Sequence, residues 1–300
     1  MRIAVTGASG FIGTEVTKKL ETFPDTEIIA ITRNMGHVKK NSGKYVWKET
    51  DFSVSSLREV LENVDVVIHL AAVRGTTGTI SDYHINETIT ENLLVAMGEE
   101  KVKRIIFASS IAVYSDTETI PWREDNVIEP KTLYGITKAS CEYLCRYYSK
   151  RYGFAYSIVR VAQVLGLGEK RKGMMNVFIE TAYQHGQLHV MGKSIAKRQY
   201  IYVKDMAAVM CETALKPERE SEIINAGMKK AYSNLEIAQI INKVFENETP
   251  IEYDSSFEEK IEPSKMEVTY LMDHLKFVPM DMEQVLCEVR KEIRNNPIDH

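Results

Sequence analysis

The chain has 300 residues, 44% hydrophobic and 27% charged, with a formal net charge of −4, which is the balance of a soluble globular protein able to bury a large core as one α/β domain or two lobes. The weak negative charge gives no field for wrapping nucleic acid or holding an anionic membrane. No apolar run approaches the roughly 20 residues that span a bilayer.

The opening Met1-Arg2-Ile3-Ala4-Val5-Thr6-Gly7 has neither the apolar stretch nor the cleavage site of a signal peptide, so a cytoplasmic chain is expected. A strand over 3–6 starts at once, then a glycine turn opens a helix that stops before Pro24. Further strands are expected over 28–32, 45–48, 66–70 and 105–109, with helices over 54–61 and 83–97. These runs are apolar throughout rather than alternating, as when helices cover both faces of a parallel sheet. The rhythm predicts an α/β fold with a doubly wound parallel (Rossmann) sheet. A helix over 138–151 and a sixth strand over 156–160 continue it. Cys141 and Cys145 on that helix have no His or Cys near them in sequence, and are read as small buried hydrophobes; no metal site and no disulfide framework are expected.

From Gly166 the pattern loosens. Lys170, Arg171 and Lys172 are read as a solvated loop, followed by a helix over 176–185 and strands over 188–191 and 199–203. Helices are expected over 204–215, 235–245 and 282–294. The expected division is a dinucleotide-binding domain over 1–165 and a smaller substrate-binding lobe over 166–300, with 199–226 returning to the first domain.

Two motifs carry chemistry. Gly7, Gly10 and Gly13 lie between a strand and a helix, with Phe11 and Ile12 at the helix start. Backbone free of side chains can approach a phosphate there, and the helix offers unpaired N–H groups. The spacing is G-x-x-G-x-x-G, one residue longer between the first two glycines than the usual dinucleotide fingerprint. The second strand ends Thr32-Arg33-Asn34 without a carboxylate for ribose hydroxyls. Arg33 therefore tilts the choice toward NADP, with NAD left open. The second motif is Tyr134 and Lys138, which the i, i+4 spacing stacks on one helix face. A phenol with an ordinary pKa of about 10 is pushed toward phenolate by a fixed ammonium beside it.

Four segments occur in one order: Thr6-Gly7-Ala8-Ser9-Gly10-Phe11-Ile12-Gly13, His69-Leu70-Ala71-Ala72, Ser109-Ser110-Ile111-Ala112-Val113-Tyr114, and Tyr134-Gly135-Ile136-Thr137-Lys138. Together they resemble the extended short-chain dehydrogenase/reductases, specifically the NAD-dependent epimerase/dehydratase family of nucleotide-sugar enzymes. The resemblance implies that the glycine turn seats a pyrophosphate, that Asp51 and Phe52 contact adenine, and that Leu70, Ala71 and Ala72 line the cofactor. It implies that Asn86 organises the strand behind the site. Ser110, with Ser109 as the alternative, matches the catalytic Ser/Thr. Lys138 would hold the nicotinamide ribose and lower the pKa of Tyr134, which exchanges a proton with a sugar hydroxyl as hydride passes to or from the carbon.

The second half implies the substrate. Arg198-Gln199-Tyr200-Ile201-Tyr202-Val203-Lys204-Asp205 resembles a family segment whose arginine clasps the diphosphate. Asn176 falls where the family has a substrate-binding loop and helix. Arg160-Val161-Ala162-Gln163-Val164-Leu165-Gly166 matches Arg-x-x-Asn-x-Tyr-Gly, so Ala162 is placed beside the cofactor. Gln163, Leu165 and Gly192-Lys193-Ser194 depart from the family pattern and leave the sugar and nucleotide open. The Thr-Asp-Glu that sugar dehydratases carry before Val-Tyr is replaced by Ser110-Ile111-Ala112, which disfavours dehydration. The expected function is a nucleotide-sugar 4-epimerase of the UDP-glucose or UDP-N-acetylglucosamine type. A reductase of a keto-sugar or other small alcohol and a non-catalytic dinucleotide sensor are the alternatives. A homodimer through the helices of Tyr134 and Asn86 is expected from the resemblance.

Overall fold

The structure, a computed structural model, describes residues 1–38, 44–75, 77–169, 173–216, 220–258 and 262–295; the basic loop at 170–172 lies outside them. In chain order the main sheet takes β1 (Arg2–Thr6), β2 (Glu27–Thr32), β3 (Val46–Glu49), β4 (Val66–His69), β5 (Arg104–Ala108) and β6 (Ala155–Val161). After β7 (Gln163–Leu165), β8 (His189–Met191) and β9 (Arg198–Tyr202), the chain returns with β10 (Glu222–Ala226) to pair parallel with β6. The seven strands run β10-β6-β5-β4-β1-β2-β3, all parallel, so the order reverses between β1 and β4. Thr6 pairs with Ile31 and His69, which aligns the carboxyl ends of three strands along one edge at that reversal. That edge is where ligands bind in such sheets.

Alternate residues of the strands feed two cores. Ile3, Val5, Ile28, Ala30, Ile68 and Ile106 face α1 (Phe11–Leu20) and α6 (Val203–Leu215), among them Val16, Leu20, Met206 and Met210. Ala4, Ile29, Ile31, Val67, Ile105 and Phe107 face α2 (Val54–Leu61), α3 (Ile80–Glu99) and α4 (Leu133–Tyr152) through Leu57, Leu93, Met97 and Cys145. Both faces are thus buried, which is why these strands are apolar throughout.

A third core joins α5 (Met174–Tyr183), α7 (Asn234–Phe245) and α9 (Met282–Asn295) to Leu188, Val190, Tyr200 and Tyr202. Around it β11 (Ala231–Tyr232), β9 and β7 form one small sheet, β12 (Glu252–Asp254) and β8 another, and α8 (Thr269–His274) packs on β10. Two helices start earlier than their apolar periodicity indicates. Thr132 accepts from the Gly135 backbone N–H and starts α4 at Leu133, while a Thr79–Asp82 capping box starts α3 at Ile80. The earlier start of α4 brings both Tyr134 and Lys138 into its first two turns.

Candidate active site

A cavity of about 670 Å³ opens at the carboxyl edge of the sheet. Gly7, Gly10, Phe11, Ile12 and Gly13 line one stretch of it. Gly10 is the N-cap of α1 and offers no side chain to the helix start, so the first backbone N–H groups of α1 lack a side-chain partner. Glycine is required at Gly13, where a Cβ would stand 2.1 Å from the Gly7 carbonyl oxygen. A bare turn above an uncapped helix N-terminus fits a pyrophosphate.

Next to it Thr32, Arg33, Asn34 and Phe52 line the cavity. Arg33 is exposed, and the Asn34 side chain accepts from the Gly36 backbone N–H. Asp51 is not among the cavity-lining residues. Its exposed carboxylate accepts from the Ser53 backbone N–H at 2.8 Å, and hydrogen bonds from the Ser53 side chain and backbone hold its pKa below the ordinary value. Of the expected pair, Phe52 lines the cavity.

Leu70, Ala71 and Ala72 form a wall, held from behind by a directional chain. The Leu70 and Ala71 backbone N–H groups both donate to Thr6 Oγ1 at 3.2 Å. Thr6 then donates to His69 Nδ1 at 2.6 Å, which puts the imidazole proton on Nε2, facing Thr90 Oγ1 at 3.1 Å. Thr90 in turn donates to the Asn86 carbonyl at 2.7 Å. Complete burial holds His69 neutral, its pKa lowered to about 3. Asn86 lies behind the cavity wall, where it accepts from the Val73 N–H at 2.7 Å and donates to the Val73 carbonyl at 3.0 Å. Its partner is therefore the loop after β4 rather than a strand behind the site. It also reaches Thr137 Oγ1 of α4 at 3.4 Å.

At the far end Ser110, Tyr134 and Lys138 meet, with Ala162 opposite. Ser110 Oγ accepts from the Ala112 N–H at 3.1 Å, leaving its own proton for the Tyr134 hydroxyl. Lys138 Nζ donates to the Ala108 carbonyl at 2.8 Å and lies 4.7 Å from the Phe107 ring centre. The electrostatics differ from the expectation of a lysine-activated phenolate. Burial pushes Tyr134 up to about 12, with Arg74 and a hydrogen bond from Ser110 pulling the other way. Burial also lowers Lys138 to about 8. In the protein alone desolvation outweighs the Arg74 cation and the Ser110 hydrogen bond.

Asn176 and Arg198 are not among the cavity-lining residues. Asn176 is half-buried in the first turn of α5. Arg198 is half-buried at the start of β9, its Nη2 3.5 Å from Tyr200 Oη, and Tyr200 pairs with cavity-lining Gln163. Arg74 escaped sequence reading: it lines the cavity and forms a 2.8 Å ion pair with Glu169, tying the loop after β4 to the loop after β7. Nothing in its sequence context distinguishes it from a solvated arginine.

A family model described as the NAD dependent epimerase/dehydratase family matches residues 3–227. The chain belongs to that family. Among members of the NAD-dependent epimerase/dehydratase family, a putative UDP-glucose 4-epimerase of Methanocaldococcus jannaschii is 30% identical over 80% of this chain and 81% of its own length. The crystal structure of UDP-N-acetylglucosamine 4-epimerase from Bacillus cereus superposes with a TM-score of 0.88 at 32% identity, covering 98% of this chain and 99% of that one. A UDP-glucuronic acid 4-epimerase from Bacillus cereus, solved with UDP-glucuronic acid and NAD, shares the fold at a TM-score of 0.85 and 24% identity, covering 98% and 99% of the two chains.

Proposed function

We propose that this protein is a nucleotide-sugar epimerase that inverts a secondary hydroxyl of a UDP-sugar, UDP-N-acetylglucosamine or UDP-glucose, through a transient 4-keto intermediate. The observation that carries the reading is the meeting of Ser110, Tyr134 and Lys138 in a cavity that also contains the uncapped glycine turn. Bound there, a nicotinamide dinucleotide supplies the hydride acceptor and donor. Its pyrophosphate is assigned to Gly10, Phe11, Ile12 and Gly13, and its remaining length to Phe52, Leu70, Ala71, Ala72 and Ala162. Tyr134 takes the proton of the sugar hydroxyl and returns it after the keto-sugar has turned over, Ser110 holds the reacting oxygen, and Lys138 binds ribose hydroxyls. NAD is the cofactor the family is named for; Arg33 at the rim, with no carboxylate beside it, leaves NADP admissible.

Arg198 and Asn176 are assigned to the diphosphate end, reached along β9 from the cavity. We place the division of labour at residues 1–165 with 199–226 for the dinucleotide and the rest for the substrate. Ile85, Ile136, Tyr143 and Tyr147 are exposed on α3 and α4, and a cytoplasmic homodimer through that face is the proposed assembly. The test is incubation with UDP-, GDP- and dTDP-sugars and each cofactor, reading epimers and net redox. Epimer formation without net cofactor reduction supports the proposal, and net reduction alone assigns a dehydrogenase.

A further inference from the structure

Tyr134 and Lys138 share their stripe of α4 with a third polar side chain, Glu142, one further i+4 step along. Glu142 stands outside the Ser110–Tyr134–Lys138 cluster, yet its side chain is fully buried, where an unpaired carboxylate is strongly disfavoured. It has three donors. Arg160 grips it as a fork, Nε to Oε1 at 3.0 Å and Nη2 to Oε2 at 2.8 Å, and Ser109 Oγ donates to Oε1 at 2.5 Å. Arg160, itself buried, uses Nη1 on Tyr114 Oη at 2.5 Å and the Glu124 carbonyl at 3.1 Å.

These contacts fasten α4 to the end of β5 at three heights. The Gly135 backbone abuts Ala112, where a Cβ would stand 2.2 Å from the carbonyl oxygen. Lys138 binds the Ala108 carbonyl and Glu142 binds Ser109. Ser110 lies within the fastened segment. The titratable and charged groups around Lys138 are Tyr134, Cys141, Glu142 and Cys145 on α4, His69 on β4 and Arg74 in the loop after it, with Arg160 reaching from β6 and Arg146 from the next turn of α4 through Glu142. Burial keeps the two thiols and the phenol protonated and the imidazole neutral, and Arg74 is a cation. Among these groups the one carboxylate is Glu142, ion-paired with Arg160.

We infer that Glu142 is a positioning residue of this site: through Ser109 it fixes the end of β5 against α4, and its carboxylate keeps the buried Lys138 charged. The catalytic part of the inference rests on the epimerase reading; the effect on Lys138 does not, because cofactor binding reads it directly. The experiment compares full-length wild type with Glu142→Gln, Glu142→Asp and Ser109→Ala, measuring NAD affinity against pH, kcat against pH with a UDP-sugar, and thermal stability. Glu142→Gln is expected to move the alkaline loss of NAD affinity down by about one pH unit, with Glu142→Asp restoring most of it. Ser109→Ala leaves the ion pair intact and is expected to lower kcat about tenfold while NAD affinity changes less than about twofold. Folded variants with an unmoved alkaline limb and unchanged kcat overturn the inference, as does a loss confined to thermal stability. If Glu142→Gln does not fold, Ser109→Ala decides, read beside Ser110→Ala, whose larger kcat loss identifies Ser110 rather than Ser109 as the serine on the reacting oxygen. If the wild type turns over no nucleotide-sugar, the functional reading fails, and the NAD titration still decides the role of Glu142.

Discussion

Tyr134 and Lys138 are both moved away from their charged forms by burial, the phenol up to about 12 and the ammonium down to about 8. A Tyr134 base must therefore be activated by what binds and by its neighbours Ser110 and Arg74. Tyr134→Phe is expected to lower kcat by about 10²- to 10⁴-fold with NAD affinity retained, checked by steady-state kinetics beside calorimetry. His69 supplies a pH prediction. Its folded pKa of about 3 lies below the ordinary 6.5, so the unfolded chain binds the extra proton between those values. The stability this group contributes is complete above pH 6.5 and is lost as pH falls toward 3. The slope is at most about 1.4 kcal/mol per pH unit, and His69→Gln should flatten the acid arm of a denaturant-unfolding series by that order. The positions of Tyr134, Lys138 and Ser110 were legible from spacing and family resemblance. Their electrostatics were not, because desolvation depends on what the fold lays over them. Asp51 lies after β3 as expected, and the hydrogen bond it accepts from the Ser53 backbone N–H belongs to a local turn that sequence spacing does not show.

At the scale of elements, α4 and the glycine turn set the site. Gly135 lets the first turn of α4 touch the Ala112 carbonyl directly. Gly135→Ala is expected to cost about 1–3 kcal/mol of unfolding free energy, as other forced overpackings do, and to lower kcat by separating Tyr134 from Ser110. Equilibrium unfolding and kinetics on the same variant check both. The central strands were legible because burial on both faces leaves unbroken apolar runs. β7, β11 and β12 were not, since pieces of two or three residues carry no periodicity. β10 was missed as a strand although its return to the first domain was expected; the Glu222-Ile223-Ile224-Asn225-Ala226 run puts polar Asn225 in the core, where it donates to the Trp122 carbonyl. The start of α4 depended on Thr132, a cap that lies outside the apolar pattern.

For the whole molecule, two cores flank the parallel sheet and a third builds the smaller lobe, with the cavity at the sheet edge and Gln163 and Val164 of β7 in its lining. Arg198 is on β9, next to β7, so a substrate that extends from the cavity along these strands meets it. Arg198→Ala is expected to raise KM for the UDP-sugar about 10-fold or more with a smaller change in kcat, the signature of lost charge-assisted phosphate binding. If the proposed homodimer forms through α3 and α4, replacing Tyr143 and Tyr147 together by Glu converts it to monomers in sedimentation while the fold stays intact. The most direct measurement of the central claim is NMR of UDP-N-acetylglucosamine and UDP-glucose incubated with the protein and NAD. The C4 epimer of at least one of them is expected, abolished by Tyr134→Phe and formed without accumulation of reduced cofactor. Stoichiometric reduced cofactor with no epimer, or no turnover of any nucleotide-sugar, would contradict that claim.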